Sequence, residues 1–480
     1  MIGPHIIRSL KRFGDESGQT IVIAAVGIAV IIAFLGLAID VGQVRHAKRD
    51  LQKAADAAAL AGAIEVLPCL NVSDCSAMQA AAKDAVTENG LATPTVVLNC
   101  ASFTPSTGVT LLLNNGPCSI STDPNKTKTS YVEAVVSQQQ PTTFAQLIGI
   151  HKVALTARAE AQHIGETNCI YALDPSGSGA INTAVLALVT ANCGVVDESS
   201  SASALTCAIV GAITAPKVSV TGGSTGLLCL AATNNLTTGA PVPVPADPLA
   251  YLPKPTVPAC GTSTGSPYHG ASSALSFSLL NTLLAPAVLY ADGAYCGGIT
   301  IGLGANVIFN TNSGSTFVLT SSKGAGGLNI SLNLLSSIST SGGGVTFYNY
   351  GPAGAINFAV TVPGLLSSVN LAAPTTGPYA GILFFQDPGN TTAANITASI
   401  SVATPAINGI SYFPNATVSY GVAVQLLSNG SCTGLYNPLI AKDINFVANL
   451  SVLTTSQFCS DFSALPNGSP LSGTKAVLVQ

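Results

Sequence analysis

Twelve cysteines are the most chemically distinctive residues of this chain: Cys69, Cys75, Cys100, Cys118, Cys169, Cys193, Cys207, Cys229, Cys260, Cys296, Cys432 and Cys459. No Cys-x-x-Cys pair and no histidine at metal-ligand spacing accompanies them, so no metal centre is expected. An even set spread through a chain of low charge fits disulfides made in an oxidising compartment. Scattered buried thiols are the competing reading. Cys69 with Cys75 would close a small loop, and Cys100 with Cys118 would flank a hairpin.

The remaining reactive groups are few. From Thr167 onward the acids are Asp174, Asp197, Glu198, Asp247, Asp292, Asp387, Asp443 and Asp461, the lysines are Lys217, Lys254, Lys323, Lys442 and Lys475, and no arginine follows Arg158. His269 is the only histidine after His163, so a Ser-His-Asp set has a single available base, and no Gly-x-Ser-x-Gly elbow presents a serine. Glycoside hydrolysis needs two facing carboxylates, whereas these acids are scattered along the sequence. A groove with convergent carboxylates would revive a carbohydrate-active reading. "GGSTG" at Gly222 lacks the lysine of a phosphate loop. The expectation is a non-enzyme without cofactor.

Of 480 residues only 8% are charged, against roughly a quarter in ordinary globular chains. Tryptophan is absent, and the formal net charge of −4 gives no electrostatic case for nucleic acid. Disordered chains avoid apolar residues and carry charge. This one does the reverse, so a folded body wetted by hydroxyls and amides is expected.

The elements that carry these residues begin with an anchor. Residues 17–39 hold no charged side chain. About twenty helical residues at ~1.5 Å each cover the ~30 Å hydrocarbon core, and the run exceeds the ~7–15 residues of a signal-peptide core. An uncleaved single-pass membrane helix is expected. Arg8, Lys11 and Arg12 precede it and Arg45, Lys48, Arg49 and Lys53 follow, so the positive-inside count is tied or slightly against an N-terminus inside, three to four. All cysteines lie on the C-terminal side, which places the N-terminus in the cytoplasm. Beyond the span, Val44, Ala47, Leu51, Ala54, Ala58 and Ala61 gather on one helical face. Such a face packs closely, either on a partner helix or on the chain's own domain. Asp40 is read as the residue where the helix meets water, with a buried ion pair as the alternative.

"FGDESGQT", a membrane helix ending "LAIDVG" and then "LQKAADAAALAGA" resemble, in that order, the N-terminal region of the TadG-like proteins of the tight-adherence system, which assembles Flp pili on bacterial surfaces. Gly18, Asp40, Gly42, Leu51, Gln52, Ala54, Ala55, Asp56, Ala58, Ala59, Leu60, Ala61 and Gly62 carry the resemblance. It implies a structural protein of the bacterial inner membrane whose partners are pilus-assembly proteins. Its helix-packing and assembly residues would be Asp40, Gly42, Val44, Ala47, Leu51, Ala54, Ala55, Asp56, Ala58 and Ala61. The pseudopilins of that system carry Glu five residues after their cleavage glycine. Here that place holds Ile23 counted from Gly18, or Gln19 counted from Gly14, so the helix is expected to stay as an anchor.

Four regions follow. Residues 1–16 form a basic cytoplasmic N-terminus, and 17–65 the membrane and Ala-rich helix. Residues 66–165 read as a small α+β domain: "SAMQAAAKDAVTENG" is helical, "TPTVVLNC", "GVTLLLNN" and "SYVEAVVSQ" are strands, and "PTTFAQLIGIHKVALTARAEAQ" is a short helix, a break at Gly149 and a strand. His151 is expected in an exposed turn. Residues 166–480 are mainly β, with a Pro-rich segment at 239–261 that serves either as a linker or as a strap. "GGITI", "GGLNI" and "GGVTF" recur from Gly297, Gly326 and Gly343; "GILFFQD" and "GISYFPN" recur from Gly381 and Gly409. Such periods suggest a parallel β-solenoid, with β-sandwiches as the alternative. A surface adhesin holding a glycan on that body is the second functional reading.

Overall fold

The computed structural model describes residues 17–69, 75–104, 107–165, 168–209, 211–226, 235–332, 336–352, 354–360, 368–398, 407–422, 432–448, 454–473 and 475–479. The basic segment 1–16 and Cys229 lie outside the described residues. The fold is mainly β, led by one long helix, α1 (Ser17–Ile64). At ~1.5 Å per residue it is about 70 Å long, more than twice a bilayer core. Its halves have different surroundings. From Ile21 to Ile39 the large aliphatic side chains are bare, and this stretch is long and apolar enough to cross a membrane. From Leu51 onward the helix is buried in a small domain.

That domain adds α2 (Ser76–Glu88) and strands β1 (Thr95–Val97), β2 (Thr110–Asn115), β3 (Tyr131–Pro141) and β4 (Lys152–Ile164). β1 runs parallel to β2, and β2, β3 and β4 are antiparallel neighbours. A fifth strand, Lys475–Leu478, pairs antiparallel with β4. The chain's end therefore leaves the body and returns to the small sheet, which a boundary at residue 165 did not anticipate. Side-chain alternation explains the core. Val132, Ala134 and Val136 of β3 and Ala157, Ala159 and Ala161 of β4 pack on the helices, while Glu133, Arg158 and Glu160 point the other way into a network of their own.

In the body the described strands pair in parallel, in ladders that advance by about one coil of chain. Ile299–Ile301 lies on Leu328–Leu332, which lies on Ile356–Val360, which lies on Ala394–Ala398. A second ladder runs Thr316–Leu319, Thr346–Asn349, Ile382–Gln386. A third runs Ala287–Tyr290, Asn306–Asn310, Ser337–Ser341. Inward positions stack aromatics: Phe309 meets Phe317 at 5.0 Å and Phe347 at 4.9 Å, and Phe347 meets Phe384 at 5.9 Å between ring centres. Such pairs contribute about 0.5–1.5 kcal/mol each beyond area burial. Facing outward, Thr300, Asn329, Asn357 and Asn395 form a polar row in register.

The repeats map onto these ladders with one exception. "GGITI" and "GGLNI" are neighbours, with Ile299 opposite Leu328, and "GILFFQD" and "GISYFPN" are neighbours, with Ile382 opposite Ile410. "GGVTF" is not a third copy of the first pair. Its Thr346–Asn349 strand belongs to the second ladder, because tight turns of both columns demand glycine while the strands that follow differ. The copy that does follow "GGLNI" is the strand starting at Ile356.

The order of stacking differs from the order of sequence. Asn168–Ala172 starts in the middle of the stack, and Gly194–Asp197, Val218–Val220 and Leu236–Thr238 build outward from it. The next paired strand of the main sheet, Leu275–Phe277, stands at the opposite end, and the chain winds back until Leu439–Phe446 pairs with Asn168–Ala172. The Pro-rich segment joins the halves and lies along the body. Asp247 accepts from Tyr412 Oη at 2.6 Å, Lys254 meets Asp387 at 3.3 Å, and Tyr251 Oη donates to Pro470 O at 2.6 Å. It is a strap as well as a connection.

Candidate functional site where the long helix enters the small domain

The face of α1 beyond the bare segment is spent largely within its own domain. Leu51, Ala54, Ala55, Ala58, Ala59 and Ala63 are fully buried against α2, β3 and β4. Methyl groups on both surfaces let helix and sheet approach closely, and a Cβ on Gly62 would stand 3.0 Å from Val132 Cγ1. Val44, Ala47 and Ala61 are half-buried at the edges of this contact. Asp56 is half-buried as well. Gln52 Nε2 donates to its Oδ1 at 2.8 Å and to Arg158 O at 2.8 Å, clipping helix to strand. Gly42 is exposed, with nothing within 4 Å of where a Cβ would be.

Asp40 is buried, only 4% exposed, without an ion-pair partner among the described residues. Its carboxylate accepts three backbone hydrogen bonds from the β3–β4 tip: from Thr143 N at 2.8 Å, Phe144 N at 2.9 Å and Ala145 N at 2.6 Å. These are the free N–H groups that open the 3-10 turn Ala145–Ile148, and a carboxylate is the natural acceptor for such a set. The turn closes at Gly149, whose φ of +91° favours glycine. His151 lies beyond it, exposed. The partners are more than a hundred residues apart, and no local pattern announces them.

Disulfides join Cys69 to Cys75, Cys100 to Cys118, Cys169 to Cys193, Cys260 to Cys296 and Cys432 to Cys459. Cys207 is also disulfide-bonded. The Cys100 and Cys118 sulfurs lie near Glu133, yet they are spent on each other. Glu133 already accepts from Cys118 N and Ser119 N at 2.9 Å and from Arg158. Arg158 also meets Asp123, and Glu160 at 3.1 Å. This buried network escaped sequence reading; the alternation of Arg158 and Glu160 with buried alanines in β4 was its one signal.

Five acids of the body, Asp174, Asp197, Glu198, Asp247 and Asp443, are scattered in sequence and gathered in space. Burial, then the charges of Asp443 and Asp174, push Asp197 up to about 7. Burial, then Asp247 and Asp197, push Glu198 up to about 8. Glu198, Asp247, Lys254, Tyr412 and Asn415 line a cleft of about 380 Å³ between strap and body. At neutral pH a protonated Glu198 can donate a hydrogen bond there. His269 Nδ1 meets Asp292 at 2.6 Å and its ring stacks on Tyr290, but among the described residues no serine hydroxyl joins that ring.

Residues 18–65 match the family described as "Putative Flp pilus-assembly TadE/G-like". The match covers α1 from Gly18 and ends at Glu65, so it takes in the bare segment, Asp40 and the Ala-rich face. None of the curated proteins and none of the solved structures matches the chain.

Proposed function

We propose, with the TadE/G-like N-terminal region as premise, that this protein is a membrane-anchored structural component of a Flp-pilus or tight-adherence assembly. One observation carries the reading: the family match falls on a helix that is bare and apolar in its first half and locked into a folded domain in its second. The span is then a rigid extension of the domain, suited to transmit position between bilayer and body. The cytoplasmic membrane holds the helix, its N-terminus faces the cytoplasm, and the disulfide-bearing body stands outside. The body is a parallel β-solenoid: registers that advance by a coil, inward aromatics and outward Asn/Thr rows support this. Its role is non-catalytic.

A second reading, a glycan-binding body on the same tether, is favoured by the cleft of Glu198, Asp247, Lys254 and Asn415, which offers donors and acceptors to hydroxyl groups. Two variants separate the readings, a span exchange and Glu198→Ala. Exchanging residues 21–39 for an unrelated apolar helix of about twenty residues keeps a tether and removes its sequence. Loss of pili with the chain still in the membrane supports assembly through the span. Intact pili with attachment abolished by Glu198→Ala supports the glycan reading, and pili and attachment both unchanged would sink the two together.

A further inference from the structure

We infer that the tip of the β3–β4 hairpin is a second membrane-inserted element, seated among the acyl chains of the leaflet on the C-terminal side of α1. The inference rests on the reading of α1 as a membrane span. Four observations converge on it.

The tip is apolar where water would disfavour it. Leu147 is 82% exposed and Ile148 75%, and Phe144 and Ile150 are exposed beside them. These side chains are also level with the span. Phe144, Leu147 and Ile148 line one apolar groove with Val30, Phe34 and Leu37 of α1. Phe34 and Val30 precede Asp40 by six and ten residues, which puts the groove about 9–15 Å along the helix toward its cytoplasmic end. That depth lies within a ~30 Å core.

Backbone in lipid must satisfy its own polar groups, and most N–H groups of this loop are spent within the protein. Thr143, Phe144 and Ala145 donate to Asp40. Thr142 N donates to His151 O at 3.1 Å, Leu147 N to Phe144 O at 3.0 Å, Gly149 N to Gln146 O and Ile150 N to Ala145 O, both at 3.1 Å. The Gln146 amide turns back to Thr143 O at 2.8 Å. Finally, charge returns only above the groove. Lys152 follows the tip, and Arg45, Lys48 and Arg49 follow Asp40 on α1, at the height of anionic headgroups. The continuity of the exposed apolar tip with the span selects lipid as the occupant; a second copy or a partner helix in the groove is the outcome that would displace it.

The absence of tryptophan makes the test direct. The full chain is reconstituted in vesicles of phosphatidylethanolamine and phosphatidylglycerol, with one tryptophan introduced at a time: Leu147→Trp, Ile148→Trp, Phe34→Trp in the span, and Leu284→Trp on the exposed body surface. Lipids brominated on the acyl chain should quench Leu147→Trp and Ile148→Trp at least half as strongly as Phe34→Trp. Their emission should lie well to the blue of Leu284→Trp, and aqueous iodide should quench only Leu284→Trp. Quenching of Phe34→Trp alone, with iodide reaching both tip positions, overturns the insertion and leaves the span standing. Tip positions shielded from both iodide and brominated lipid mean a protein covers the groove, and also overturn it. If Phe34→Trp escapes the lipid quencher, the span reading fails, and the insertion with it.

Discussion

The ring of Phe144 fills the space that a side chain at Gly36 would need: a Cβ there would stand 2.6 Å from Phe144 Cγ. Gly36→Leu should therefore displace the tip. Leucine favours a helix over glycine by nearly 1 kcal/mol, so α1 alone would gain, whereas the clash costs about 1–3 kcal/mol. A small domain that melts earlier in Gly36→Leu, with span insertion unchanged, is the expected result. A melting point equal to or above that of the parent would show that Phe144 gives way freely.

Asp40 joins the same two elements through hydrogen bonds. Asp40→Ala would leave the N–H groups of Thr143, Phe144 and Ala145 without their acceptor. Their amide hydrogen exchange should accelerate about ten- to a hundredfold while that of β2 stays slow. Asp40→Asn, with one carbonyl oxygen, should fall between. Unchanged exchange at these three amides in Asp40→Ala would show that Asp40 does not hold the β3–β4 tip.

The strap predicts a pH dependence in the body. Glu198 is pushed up to about 8 and Asp197 up to about 7, each by burial first, while unfolded Glu and Asp titrate near 4. Between those values the unfolded chain has released protons that the folded chain keeps. Stability from this source is thus fully present below about pH 4, declines as pH rises toward 8, and levels off above. Glu198→Gln should flatten the decline and raise the body's melting temperature at pH 8. A melting profile of Glu198→Gln parallel to that of the parent from pH 5 to 8 would contradict it.

The small domain should slope the other way. His163 is buried, its Nδ1–H donates to Ala63 O at 2.9 Å, and burial holds its pKa below the usual range. As pH falls through about 6.5 the unfolded chain takes up a proton that the folded His163 resists. The domain's melting temperature should drop below that pH, and His163→Gln should abolish most of the drop. Opposite slopes for body and domain, followed by calorimetry, make the two titrations separable.

Gly327 has φ of +75°, and a Cβ on it would stand 2.3 Å from Ala355 O in the next rung. Gly327→Ala should destabilise the body by about 1–3 kcal/mol. Gly265→Ala, which meets nothing within 4 Å, is the matched control and should be nearly silent. Equal denaturant midpoints for the two variants would mean that the rungs can shift apart there.

What could be read from sequence was what is local. The pairing of Ile382 with Ile410 was visible because a strand and its turn recur one coil later. Cys69–Cys75 and Cys100–Cys118 were visible because each closes a short loop. The buried half of α1 was legible as a face, but not the surface that covers it: a stripe of alanines fits a sheet of the same chain as well as a foreign helix. The acceptor role of Asp40 was hidden because its partners are backbone amides, which every residue carries and no motif records. The clustering of acids in the body was hidden because Asp197 and Asp443 become neighbours only when the last rungs meet the first.

That meeting sets a timetable for folding. Asn168–Ala172 is synthesised early and can stack Gly194–Asp197 on one side at once, but its other side waits for Leu439–Ala441. Through most of synthesis one flank of the first-made rung is an open edge with unpaired N–H and C=O groups, a template for mispairing between nascent copies. The body is sealed in its middle, by nearly the last segment to arrive.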